Sequence, residues 1–417
     1  MHTDLVPAEE EPSVPIAAVG SERHLWAPRM TGYYSRSEMR QQSGEYHSTV
    51  PAPLVDWQPV LSPSLSADVE DATRALLDFD LYALRILSSS DAALAPMSAI
   101  LLRTESASSS QIENVTASAR QLALAEINET DATNARSVVG NVHAMEAAMA
   151  LAGGVSLNSI LAMHKALMEH DFTMRMHAGS FRNELVWIGR GNAGPLGADF
   201  VAPQHEHIPA ALSDLVTFVN RDDIPVLVQV ATAHAQFETI HPFVDGNGRT
   251  GRALAHAMLK NKGLVSHTTV PLSAGLLADT ESYFSALGAF RSGNAGPIIE
   301  RFAEAARFAA VSGRHLIDRL TAEIDASRGA LAGVRAHAAA WSVLPLLVGQ
   351  PVVTSSFLKS KLGLNDATVQ RTLALLSDRG VLHERTARRR NRVWEHTGIL
   401  AALDEYAETV RRGTRNA

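Results

Sequence analysis

The chain of 417 residues contains no cysteine. That single absence excludes disulfides, thiolate metal sites and cysteine nucleophiles, and it fits a reducing compartment. Serine, threonine and histidine chemistry stay open. There is no surplus of positive charge either: the formal net charge is −7 and the sequence pI about 6.2. The overall balance therefore calls for neither nucleic acid nor an anionic membrane, and any nucleic-acid surface must be local. Apolar stretches such as Ala92–Leu102 are too short and interrupted to span a bilayer. The opening MHTDLVPAEEEPSVP has no basic segment followed by an apolar one, as a signal peptide would. A soluble, cytoplasmic protein without a membrane partner is expected. Histidines are plentiful, but His205 and His207 flanking Glu206, and His234 ahead of His241, do not form the HExxH arrangement that faces two imidazoles to one ion. They read as loop and packing residues, and structural zinc is not expected.

What is present is concentrated in HPFVDGNGRTGR, His241 to Arg252. Before it, Leu227, Val230, Phe237 and Ile240 recur at the spacing of one buried helix face, which predicts a helix over 226–240. Pro242 disfavours the α region for His241, which places that imidazole on the turn leaving the helix. Helical pattern resumes from about Gly248 through Leu254, Met258 and Leu259 and stops before Gly263, a C-cap glycine. Gly246, Asn247 and Gly248 thus lie at a helix N-terminus, where backbone N–H groups and the dipole attract anions and missing side chains allow close approach. Arg249 and Arg252, three apart, share a helix face and can grip phosphates as forked donors. Asp245 is a hard oxygen ligand; magnesium on nucleotide phosphates needs only one or two protein carboxylates. His241 suits a general base. A lone His-Pro or Gly-Asn-Gly is ordinarily a turn, but the joint pattern is not.

These residues match every position of the signature HxFx(D/E)GNGRxxR, and the chain resembles Fic-domain proteins. The resemblance implies transfer of AMP from ATP to a hydroxyl of a protein. It implies His241 as base, Asp245 holding Mg2+, Asn247 and Gly248 on the α and β phosphates, Arg249 and Arg252 on the outer phosphates, and Phe243 as the loop's structural anchor. It also implies an inhibitory helix: Ser109, Glu113 and Asn114 fit the pattern (S/T)xxxE(G/N), with Glu113 pairing Arg252 where the γ-phosphate would lie. Read without the family, the pattern from Thr104 to Arg120 predicts one helix carrying a solvated Glu113.

The fold class expected is mainly α, a Fic-type helical core with a β-hairpin flap and a C-terminal winged helix domain. Residues 1–48 read as a partly extended arm. Residues 49–135 form a helical region with the inhibitory helix, in which Leu76, Leu77, Leu81, Leu84 and Ile86 supply an apolar stripe. The core spans 136–310, a connecting helix 311–345, and the winged helix 346–417. Within the core, AGSFRNELVWIG (Ala178–Gly189) breaks the helical rhythm as a short hairpin would. By resemblance it is the flap, with Val186, Trp187, Ile188 and Gly189 aligning an extended target segment by strand addition. Tyr283 stands where such proteins often have an aromatic near the nucleotide, although a Tyr-Phe pair at helical spacing is commonly core. In the last segment, helices are predicted over 354–362 and 366–379 and strands over 381–386 and 392–396. Arg385, Arg388, Arg389, Arg390 and Arg392 surround the hairpin, and Thr368, Gln370 and Arg371 lie on the outer helix face. Such a module docks DNA or protein alike.

Three readings follow. The first is an ATP- and Mg2+-dependent protein adenylyltransferase acting on a Ser, Thr or Tyr hydroxyl, of another protein or of itself, restrained by Glu113. The second is a DNA-binding regulator with a nucleotide-sensing core. The third is an enzyme that removes AMP, with Glu113 orienting water. Whether the chain forms a homodimer stays open, as do its target protein and any DNA sequence.

Overall fold

The computed structural model describes residues 13–28, 35–87, 96–151, 153–189, 194–385 and 392–416. It is mainly helical. In chain order come β1 (Gly20–Trp26), α1 (Arg36–Gln41), β2 (Gly44–Val50), α2 (Pro63–Leu87), α3 (Met97–Ile112), α4 (Ala119–Glu126), α5 (Thr133–Met149) and α6 (Leu157–Met168). Next are β3 (Trp187–Ile188), β4 (Phe200–Val201), α7 (Ile208–Val219), α8 (Val226–Ile240), α9 (Asn247–Asn261), α10 (Leu272–Leu277), α11 (Thr280–Arg291) and α12 (Gly296–Ala330). The last are α13 (Ala339–Gly349), β5 (Val352–Thr354), α14 (Ser355–Leu362), α15 (Asp366–Asp378), β6 (His383–Glu384), β7 (Val393–Glu395) and α16 (Thr397–Asn416). Two compact units emerge. One is drawn from Met1–Glu70, Arg182–Val244 and Glu281–Ala303, the other from Asp71–Phe181, Asp245–Thr280 and Glu304–Ala417. The chain passes from the first to the second between Val244 and Asp245, inside the signature.

In the first unit, β1 and β2 pair antiparallel along their whole length, from Gly20↔Val50 to Trp26↔Gly44. The segment expected as an arm therefore holds a two-stranded sheet. Helix α7 packs on α8, and Asp214 on α7 accepts the backbone N–H groups of Leu54 and Val55. Phe218, Phe237, Phe243, Tyr283 and Phe302 are fully buried and supply the core. Large aromatic side chains lead such a core because each removes so much apolar surface from water.

In the second unit, α5 crosses α6 at Gly140, where an added Cβ would meet the Leu167 carbonyl oxygen at 2.4 Å; only glycine permits that approach. Helix α3 lies among α5, α9, α10 and α13. It buries Met97, Ile100 and Leu101, but also Glu105, Ser106, Ser109 and Ser110. Those polar groups are satisfied locally: Asn141 of α5 donates to Ser106 O and Ser110 Oγ, and Ser110 Oγ donates to Ser106 O. At the C-terminal end, β5, β7 and β6 form a three-stranded sheet in that order; α14 packs on β5 and on α15. Thr354 caps α14 and Asn365 caps α15, each side chain accepting from the N–H three residues on.

Several expectations change. The buried row of α2 is Leu65, Val69, Ala72, Leu76, Phe79 and Ala83, while Leu77 and Leu81 are exposed, so the stripe lies on a neighbouring face. Steps of four, three, four, three and four keep that row in line with the 3.6-residue turn. The helix expected through 104–120 stops at Ile112, because Asn114 adopts a left-handed conformation (φ 62) and a new capping box at Ser118 starts α4. The connecting helix expected over 311–345 is broken after Ala330 and resumes as α13, and β5, which was not predicted, precedes α14. Arg388, Arg389 and Arg390 lie outside the described residues.

Candidate functional site

The part of the signature in the first unit begins where α8 ends. His241 is the C-cap, in the left-handed region (φ 48, ψ 60), its N–H donating to Phe237 O at 2.9 Å. Its side chain is 15% exposed. Nδ1 lies 3.3 Å from the Glu238 carbonyl oxygen, an acceptor only, so Nδ1 carries the proton and Nε2 keeps its lone pair. Burial pushes the imidazole pKa down to about 3; the Glu238 carbonyl opposes this, and the charges of Arg182 and Arg291 add to it. The ring is thus neutral around pH 7, the form that accepts a proton. Phe200 packs against it, centroids 6.1 Å apart, and the Arg291 guanidinium lies 3.8 Å over the Phe200 ring. Phe243 is fully buried beside Phe237. Arg182 donates to the carbonyl of His241 at 2.8 Å.

Of the expected flap, Trp187 and Ile188 form β3 and pair with Val201 and Phe200 of β4. The hairpin is therefore not closed within Ala178–Gly189; its second strand lies a dozen residues beyond β3. Ala202 N–H donates to Val186 O, and Gly189 (φ 134) sits so close to Asp199 that a Cβ would meet its N at 2.6 Å. Ile188 is exposed, and Trp187 meets Trp26 of β1 edge-on. Tyr283 is core: its hydroxyl bonds His234 at 2.7 Å. His207 pairs with Glu22 and His205 with Glu206.

The part in the second unit is the start of α9. Gly246 is the N-cap (φ 76, ψ 15), without a side chain to cap the first turn. An added Cβ there would meet Met168 Cε at 2.3 Å and Leu167 Cδ2 at 2.7 Å. His164 secures the entry: its Nδ1 accepts the Gly179 N–H, so its Nε2 donates to Asp245 O at 3.1 Å. Burial keeps His164 neutral, its pKa lowered to about 4. The Asp245 carboxylate is half exposed, accepting the Gly246 N–H at 2.7 Å, with Arg249 Nη2 at 3.4 Å. Asn247 is buried.

Over this helix end stands Glu113, the C-cap of α3. Its Oε2 accepts from Arg249 Nε at 2.9 Å and its Oε1 from Arg252 Nη2 at 2.8 Å. Arg252 also donates to Ser109 Oγ at 2.8 Å and Ser109 O at 2.7 Å, and Arg249 to Ser137 Oγ at 3.1 Å. A Cβ on Gly248 would fall 2.3 Å from Glu113 Oε1, so the carboxylate fills the space that this glycine leaves open. Two turns back along α3, Glu105 is fully buried and accepts from His256 Nε2 at 2.8 Å and from Ser273 N–H at 2.9 Å. The two helices meet antiparallel, Glu105 with His256, Ser109 with Arg252, Glu113 with Arg249 and Arg252. Ser109, Glu113 and Arg252 come together as the sequence predicts, with Arg249 as a second partner of Glu113 that the pattern does not indicate. Nor does it indicate Arg182, His164 and Arg291, whose contacts are distant in sequence.

A helix N-terminus opened by glycines, two forked cations and a carboxylate meet at the start of α9, and the neutral histidine stands four residues before Asp245 in the chain. Residues 154–259 match the Fic/DOC family model, and the chain carries a Fic domain. Among relatives, it is 30% identical over 112 residues to protein adenylyltransferase fic-1 of Caenorhabditis elegans, covering 26% of this chain and 20% of that protein. Protein adenylyltransferase Fic of Drosophila erecta is 30% identical over 119 residues, 26% of this chain and 20% of the relative. The matches thus span about a fifth of those relatives' lengths. A Fic family protein from Desulfovibrio desulfuricans shares the fold, with a TM-score of 0.53 and 22% identity over 82% of this chain and 99% of its own.

Proposed function

We propose that this chain is a protein adenylyltransferase restrained by Glu113. The observation that carries the reading is the Glu113 carboxylate bridging Arg249 and Arg252 over Gly248. Those donors, with the N–H groups of the first turn of α9, suit a polyphosphate. ATP would lie with its phosphates at the start of α9 and its outer phosphates on the two arginines. Glu113 holds the same donors, so productive ATP and the inhibitory carboxylate exclude each other.

Asp245 fits Mg2+ of this kind. Its carboxylate is half exposed, and among the described residues there is no group of three or more ligating side chains, so an ion here would be carried mainly by phosphate and water. The ion, when bound, neutralises charge on the phosphates and the leaving pyrophosphate. The chain's own residues do the rest. His241, neutral with Nε2 unprotonated, takes the proton of a Ser, Thr or Tyr hydroxyl as its oxygen bonds to the α-phosphorus. The bond from that phosphorus to the pyrophosphate oxygen breaks opposite it. The β3–β4 hairpin offers a strand edge at Ile188 to an extended target segment.

Engagement of both Glu113 oxygens favours restraint over the AMP-removing reading, in which that carboxylate must orient water. A second activity is favoured by the C-terminal elements: α14, α15 and the β5–β7–β6 sheet have the order of a winged helix-turn-helix, with Thr368, Gln370 and Arg371 on α15. Docking to DNA is our reading of that module. ATP as substrate and the absence of cysteine suit the cytoplasm; no helix among the described residues is long and apolar enough to cross a membrane. Incubating wild type, Glu113→Gly and His241→Ala with α-labelled ATP, Mg2+ and cell lysate tests the proposal. Strong label with Glu113→Gly, weak with wild type and none with His241→Ala is expected. Equal label in all three would refute it.

A further inference from the structure

Arg182 is the least conspicuous residue around His241, and its contacts are unusual. It is 4% exposed, and each arm of its guanidinium ends on a backbone carbonyl. Nε donates to His241 O at 2.8 Å, Nη1 to Glu184 O at 2.8 Å and Nη2 to Pro203 O at 2.7 Å; its own N–H donates to Pro242 O at 3.0 Å. Burial lowers its pKa to about 10, which still leaves it charged at pH 7. A buried cation is costly unless every donor is satisfied, so this geometry leaves little freedom.

The three carbonyls belong to three separate passages of the chain. Glu184 leads into β3, Pro203 follows β4, and His241 is the left-handed residue after α8. That conformation is strained for a residue that carries a Cβ. The bonds from Arg182 to the carbonyls of His241 and Pro242 hold it there. One planar fork therefore ties both roots of the hairpin to the turn that aims the imidazole. Lysine, with a single nitrogen on a flexible stem, cannot reach the same three acceptors in one plane.

We infer that Arg182 is a positioning residue that fixes the His241 imidazole relative to the β3–β4 hairpin, so that the base and the strand edge offered to the target keep one geometry. The inference rests on the proposed adenylyltransferase reading. It separates Arg182 from the residues that hold ATP, which belong to α9 and its start.

The test uses the full chain in the Glu113→Gly background, with Arg182→Lys and Arg182→Gln added. Label transfer from ATP to the chain's own hydroxyls is followed against ATP concentration and pH, with melting temperature alongside. With Arg182→Gln, kcat falls by about 30- to 100-fold, the scale of a small misplacement of a reacting group. KM for ATP stays within about twofold, and Arg182→Lys recovers part of kcat. The groups facing His241 are Glu238 of α8, Arg291 of α11, Phe200 of β4 and Arg182 itself. Loss of one cation raises the His241 pKa, so the acid limb of the kcat profile moves to higher pH. The same rise is read without turnover, by NMR titration of the His241 ring.

Arg182→Gln with kcat within about threefold of its parent and an unmoved His241 titration would overturn the inference. So would kcat and KM worsening together in step with a loss of folded protein. No label on the Glu113→Gly parent would remove the adenylyltransferase reading instead, and the His241 titration would still decide whether Arg182 sets that ring.

Discussion

Replacing Glu113 by glycine should loosen the empty protein and tighten its hold on ATP, two effects of opposite sign from one side chain. The carboxylate makes two charge-assisted hydrogen bonds, at 2.9 Å to Arg249 and 2.8 Å to Arg252. Bonds of this kind contribute about 1.5–3 kcal/mol each. Glu113 is 27% exposed, so the lower end applies, and the pair amounts to about 3 kcal/mol. On the proposed reading, the outer phosphates of ATP need the same donors. Freeing them raises productive affinity by about 100-fold, at 1.4 kcal/mol for each factor of ten. Without ligand, the two guanidinium groups, 6% and 4% exposed, lose a counter-charge. Part of that loss is offset because Arg252 keeps Ser109 and Arg249 keeps Ser137. A net destabilisation of about 1–3 kcal/mol is expected. Calorimetric titration with a non-hydrolysable ATP analogue and Mg2+, and melting curves with and without it, read both effects. Glu113→Gln, which keeps the shape and removes the charge, should fall between. Equal affinity in wild type and Glu113→Gly would show that the carboxylate does not compete with phosphate.

Gly248→Ala in the Glu113→Gly background should weaken binding of that analogue by at least about tenfold with little change in melting temperature, since its methyl group would occupy the space now filled by Glu113 Oε1. Unchanged affinity there would place the phosphates elsewhere. His164 has a folded pKa of about 4, below the ordinary 6.5, so between those values the unfolded chain binds a proton that the folded chain does not. Stability therefore falls as pH drops from about 6.5 to 4 and is flat above. His241 and His396, also lowered by burial, act in the same direction. His164→Gln should flatten the acid slope of stability by about one proton, and an unchanged slope would contradict its buried, neutral state. If α15 docks on DNA, replacing Arg371, exposed on that helix, should weaken salt-dependent binding to duplex DNA without touching AMP transfer; absence of any DNA binding in wild type would discard that role.

The elements around the signature were legible because their signals are local. Pro242 and Gly246 mark the end of α8 and the start of α9, and the spacing of Leu227, Val230, Phe237 and Ile240 gave the helix bounds as they stand. The positions of Ser109, Glu113 and Asn114 are legible in the sequence, but the end of the helix that carries them is not. The left-handed backbone of Asn114 ends α3 and leaves Glu113 at the tip of the last turn, where the helical pattern of 104–120 gives no sign of a break. The hairpin failed for a different reason. Pairing of β3 with β4 is set by side chains beyond a connection of about a dozen residues, and composition near β3 does not reveal its partner. Arg182 and His164 were invisible because each acts on carbonyls about sixty and eighty residues away, contacts that no periodicity encodes.

The most direct test of the account is to ask which phosphate of ATP stays on the protein. Glu113→Gly would be incubated with Mg2+ and lysate in parallel with α-labelled and γ-labelled ATP, and the label retained after denaturation compared, with His241→Ala as control. The account predicts α label on protein, γ label released in pyrophosphate, and neither retained with His241→Ala. Retention of γ label, or of α label undiminished by loss of His241, would contradict it.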